Sequence, residues 1–177
     1  MDQPTPPPVA STRTPRDMVL SLIVLLVPVL LVVLIYRVVQ GGDQPVTVDT
    51  APAISQARSA NAFPVSEPAG LSDDWRAISA TFQKAEGGQI LRLGYVTPDG
   101  AGLQLIQSNV PAENLLPAEL TKSGRAEGAV KIEGRSWQRY TARPGERALV
   151  LLEQERTIVV VGSAHEEEQG ELAAAVR

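Results

Sequence analysis

Apolar positions fall into two regimes along this chain. Residues 18–36 read M-V-L-S-L-I-V-L-L-V-P-V-L-L-V-V-L-I-Y and carry no charged side chain. About 19 residues at about 1.5 Å per residue give about 28 Å of helix, close to the hydrocarbon thickness of a bilayer. The pattern predicts a transmembrane helix over residues 18–39. Pro28 is tolerated there because spanning helices re-satisfy the carbonyl that a proline frees. Signal-peptide cores are shorter, about 7–15 residues, and end in small residues, whereas Gln40 precedes the glycines here. The run therefore reads as an uncleaved anchor.

Beyond residue 70 the period shortens to two, the signature of half-buried strands. Residues 75–82 place Ile78, Ala80 and Phe82 on one face, and residues 90–96 place Leu91, Leu93 and Tyr95 on one face. Residues 103–108 follow after the turn Thr97-Pro98-Asp99-Gly100. Asn109 and Pro111 then open a short helix near 112–120 that Pro117 must interrupt or restart. The second half turns through Glu133-Gly134, Arg143-Pro144-Gly145-Glu146 and Gln154-Glu155, giving strands at 129–132, 137–142, 148–152 and 157–161. Turns this short demand antiparallel pairing. Ser163 with Glu166 forms a capping box for a last helix, and Glu167 and Glu168 complement its dipole. Each half thus runs strand, strand, strand, helix and opens at a tryptophan, Trp75 or Trp137. The aligned residues share little beyond pattern, so chance alternation accounts for the likeness better than an internal duplication.

The expected fold class is α+β: one transmembrane helix, then an antiparallel sheet of about seven strands with two or three packed helices. Residues 1–17 hold five prolines among small polar residues and read as a disordered cytoplasmic tail. Residues 40–70 read as a linker with a short helix over 51–60, capped by Asp49 with Pro52 in its first turn. Residues 71–177 are the extracytoplasmic domain. Arg13 and Arg16 precede the apolar run, whereas Arg37 is followed by no cation until Arg58, so the tail is expected inside the cell membrane and the domain outside. The chain has no cysteine, so that domain relies on its core without disulfides.

The order P-R-D-M at 15–18, the anchor, G-G-D at 41–43, F-P-V at 63–65, Y-V-T-P-D-G at 95–100, S-W-Q-R-Y at 136–140 and A-R-P-G-E-R-A-L-V at 142–150 resembles a family of actinobacterial single-pass membrane proteins that carry a domain of unknown function. The resemblance implies no activity, ligand or catalytic residue. More remotely, P-x-G-x-x-x-x-W at 68–75 is similar to the opening of PsbP-like exported domains, in which a sheet is flanked by helices.

Candidate chemistry is sparse. Without cysteine and with one histidine, His165, the chain excludes Cys-His pairs, zinc ribbons and multi-histidine metal sites. Ser163 and His165 lack a G-x-S-x-G elbow. Glu166, Glu167 and Glu168 sit about 100° apart around a helix and do not converge on an ion. Asp73 and Asp74 point to opposite faces if extended, unlike a glycosidase pair. No phosphate loop occurs at Gly87-Gly88 or in residues 124–128. No metal or cofactor is expected.

Arg135, Trp137 and Arg139 are the candidate ligand-binding residues: alternate positions on one strand, with an aromatic plane between two guanidiniums and Arg143 and Arg147 beyond the turn. Such a face suits an anionic glycan or lipid headgroup. Alternatively, the arginines pair with Glu133, Glu146 or Glu153 while Trp137 covers the sheet. Residues 41–177 hold thirteen cations against eighteen carboxylates, which opposes nucleic-acid binding. The expected partners are the bilayer, through residues 18–39, and an unidentified membrane or envelope protein. The functional expectation is a membrane-anchored extracytoplasmic interaction domain without catalysis. The alternatives are a binder of anionic envelope lipid or glycan and an enzyme or enzyme subunit without a recognisable site.

Overall fold

Alternating apolar side chains assemble a single sheet whose two faces are both covered. A computed structural model describes residues 15–40 and 47–177. Contacts divide the chain into Met1–Gln44 and Pro45–Arg177. In the first unit, α1 spans Pro15–Gln40 and continues through Pro28. Among the described residues, no helix is long and apolar enough to cross a membrane. The tail expected over residues 1–17 lies, up to residue 14, outside the described residues.

The second unit begins with α2 (Ala51–Ala60) and continues with strands β1 (Arg76–Ala85), β2 (Gly88–Val96) and β3 (Gly102–Ser108). After α3 (Ala112–Glu119) come β4 (Ala126–Ile132), β5 (Arg135–Thr141), β6 (Arg147–Leu152), β7 (Thr157–Gly162) and α4 (Glu166–Ala175). The seven strands are antiparallel throughout, in the order β1-β2-β3-β7-β6-β5-β4. The fold of this unit is α+β, as its pattern predicts.

Period two decides the layers. Leu91, Leu93, Leu105, Leu149, Leu151, Ile158 and Val160 point to one face, where Ala53, Ile54 and Ala57 of α2 and Leu172 and Ala173 of α4 cover them. The intervening Ile90, Ile106, Val150 and Val159 point to the other face, under Leu115 of α3. Helices α3 and α4 thus lie on opposite faces. The local dyad of an antiparallel pair such as β3 and β7 stands perpendicular to the sheet and would keep both helices on one face, so the tryptophan-led halves are not related by it.

Residues 50–70, expected to link, are part of the packed unit. Asp49 Oδ1 accepts the Ala51 N–H at 2.9 Å, while Thr50 occupies the cap position itself. A buried polar network ties down the strap that follows α2. The Gln107 side chain accepts the Ser66 N–H and donates to the Ser66 carbonyl, and Arg156 donates to the Pro64 carbonyl, Gln107 and Glu153. Each partner is satisfied, which is the condition for burying such groups.

Three local expectations are corrected. Pro117 neither interrupts nor restarts α3, because in so short a helix its missing donor forfeits a single bond, to Glu113. Ser163 does not cap α4: its N–H is held by the Gly102 carbonyl as an extension of the sheet ladder, and His165 becomes the N-cap. Ile78 leaves the face of Ala80 and Phe82 because a β-bulge interrupts the register between Ala77 and Ser79. It is 38% exposed, and a Cβ built on Gly94 would lie 3.7 Å from its Cγ1, so it stands over Gly94 on the α3 side of the sheet.

Candidate functional site

The alternation of β5 does put Arg135, Trp137 and Arg139 on one face, the face that α4 covers. Trp137 is 0% exposed and packs with Leu172, Ala173 and Val176. Arg135 lies 5.6 Å from the indole centroid and donates to the Ala173 carbonyl at 3.4 Å and to the Val176 carbonyl. It therefore closes the C-terminal end of α4, where freed carbonyls and the negative end of the dipole favour a cation. Arg139 forms an ion pair with Glu166 at the N-terminal end of the same helix. A ligand cannot reach an indole already enclosed by a helix, so the anionic-ligand face is corrected to a clamp that seats α4. The partners of Arg135 and Arg139 are the end carbonyls of α4 and Glu166, while Glu146 pairs with Arg143 across the turn.

A family described as a protein of unknown function (DUF4245) matches residues 11–176. The chain belongs to that family. No curated protein matches it. Among the described residues, the DUF4245 match spans all four helices and all seven strands, so the clamp and the two-faced sheet lie wholly within it.

The remaining candidates in the DUF4245 unit stay apart. His165 and Ser163 are both exposed, and His165 serves as the N-cap of α4. Of the three glutamates, Glu166 pairs with Arg139 and Glu167 is exposed. Glu168 is buried and accepts the Asp99 N–H at 3.2 Å, which holds the β2–β3 turn. Asp73 and Asp74 are exposed turn residues ahead of Trp75, whose N–H donates to the Ser72 carbonyl. Among the described residues, no three His, Asp or Glu side chains converge as metal ligands. Tyr95 is buried edge-on to Trp75, with ring centroids 6.4 Å apart. Burial first, and then the charge of Glu67, push its phenol up to about 12.

Concave surfaces escape the sequence pattern, among them one built by the bulge in β1. A groove of about 330 Å3 on the α3 side has Ile78, Ser79, Gly94 and Gln104 along it and Arg143 and Glu146 at its wall. The groove depends on the bulge, which supplies Ile78, and on Gly94, where any side chain would run into Ser79 Oγ. The signal in the sequence is Gly94 inside a strand whose neighbours alternate with apolar residues, a mark of close approach by another side chain.

Proposed function

We propose that this protein is a single-pass membrane protein presenting an extracytoplasmic, non-catalytic domain that acts by binding another envelope protein. The observation carrying the reading is the charge-free stretch 18–36, about 28 Å long as a helix, which precedes a well-packed unit in the chain. The excess of cations before that stretch supports an N-terminus in the cytoplasm. Within the packed unit, Arg135, Arg156, Gln107 and Glu168 hold the fold together, which supports binding over chemistry. The residue order supports kinship with actinobacterial single-pass proteins, and a sheet flanked by helices supports the likeness to PsbP-like exported domains. A reporter enzyme that is active only outside the cytoplasm, fused after Arg177, is expected to be active. An inactive fusion, together with a domain shielded from protease in intact spheroplasts, overturns the orientation.

A further inference from the structure

We infer that the groove beside Ile78 binds a short glycan that carries a carboxylate, a uronic-acid sugar of one or two rings. The groove alone specifies this ligand class, which goes beyond the interaction reading. Its floor is bare: Gly94 of β2, Gly102 of β3 and Gly162 of β7 line it without a side chain. These are inner strands, each bonded to a neighbour on both sides, so their N–H and C=O groups are already taken. A peptide added as a strand needs an open edge, and this floor has none. An occupant meets side chains instead. Among the described residues, the side chains of Ser79, Gln104 and Ser163 along the groove have no hydrogen-bond partner. Hydroxyls and an amide, each able to donate and accept, match the neighbouring hydroxyls of a sugar. Ile78, turned out by the bulge, offers the C–H face of a ring an apolar contact. The exposed charge in the groove is Arg143, whose side chain is 59% exposed. Its Nη1 stands 3.6 Å from Glu146 Oε2, near enough to pair but too far to donate, so the donors of its fork are open. That glutamate oxygen is itself enclosed by protein. A carboxylate on the ring is therefore offered the guanidinium and is kept from the glutamate. The volume of about 330 Å3 lies at the small end of ligand sites, about 300–1,000 Å3, and the acidic balance of the unit opposes a long polyanion. Size and charge thus limit the ligand to a few rings bearing few carboxylates.

Calorimetric titration into the full-length protein, held in zwitterionic micelles free of sugar, compares cellobiouronic acid with cellobiose, which differ only in a carboxylate against a hydroxymethyl group. The acid is expected to bind about tenfold tighter, the worth of one charge-assisted pair. Arg143→Gln, a change at an exposed side chain, brings the two sugars level. A Cβ at Gly102 meets nothing within 4 Å, so Gly102→Val fills the groove floor, abolishes binding of both sugars and leaves the melting midpoint in place. Equal affinity for the two sugars in the natural protein, no saturable binding of either, or undiminished binding of the acid by Arg143→Gln or Gly102→Val overturns the site. A blocked Ser-Glu-Ser peptide that binds more tightly than the sugar acid assigns the groove to a partner protein and overturns the glycan.

Discussion

Arg135 shows how one residue can look like a ligand contact and work as a fastener. Its guanidinium meets two backbone carbonyls at the end of α4 and lies against Trp137. Arg135→Ala is therefore expected to lower stability by about 1–3 kcal/mol, the cost of orphaned acceptors and a lost cation–π contact. An exposed pair contributes only about 0–1 kcal/mol. Trp137→Ala is expected to lose about 3–5 kcal/mol by emptying the core. Denaturant midpoints at unchanged slope measure both, and an unaltered Arg135→Ala midpoint would return that residue to the surface. Tyr95 adds a pH signature. Its pKa is raised from the ordinary 10.0 to about 12, so folding favours the neutral phenol. That contribution is fully present below pH 10 and is lost as pH rises toward 12. Over that window the natural protein should lose stability more steeply than Tyr95→Phe, read again from denaturant midpoints. Glu133 is held at φ 48° in the β4–β5 turn beside Gly134 at φ 75°. Such hairpin turns favour asparagine first, so Glu133→Asn should raise the melting free energy by about 0.5–1 kcal/mol.

At the scale of elements, the strap over residues 63–67 is held at Ser66 by one amide, that of Gln107, and at Pro64 by Arg156. Gln107→Leu leaves the Ser66 N–H and carbonyl buried without partners and frees one donor of Arg156. A loss of about 2–4 kcal/mol is expected, with faster amide exchange at Ser66 than elsewhere in the strap. Exchange at Ser66 that matches the natural protein would show the strap to be held by its apolar contacts alone. All seven strands and α2, α3 and α4 were legible in the sequence, because period two, turn residues and helix formers are local signals. The misplaced details share a cause outside local sequence. The bulge that turns out Ile78 is set by pairing with β2, and Ser163 is kept from capping by the Gly102 carbonyl on another strand. The candidate site failed the same way: β5 correctly aligned Arg135, Trp137 and Arg139, but nothing within β5 says that α4 will lie on that face.

For the whole molecule, the two outer strands bear on solubility. Both β1 and β4 carry a register-shifting bulge, and each presents a lysine, Lys84 or Lys131, from a chain whose third lysine is Lys122. Bulges and lysines discourage edge-to-edge pairing of sheets. The double variant Lys84→Val, Lys131→Val is expected to associate at concentrations where the natural protein scatters no light, while its melting changes by less than about 0.5 kcal/mol. Equal scattering would mean that the bulges suffice. The strand order carries a further consequence, for timing. Strands β1 to β3 and β4 to β6 form two separate meanders, and β7 alone bonds to both, through β3 and β6. A chain emerging from the ribosome N-terminus first therefore exposes the inner edges of β3 and β6, lined by Leu105, Ile106, Leu149 and Val150, until residues 157–162 arrive. The inner edge of β3 stays open from residue 108 until residue 157, and that of β6 only from residue 152, so whatever shields β3 in the cell has to act well before the seventh strand appears.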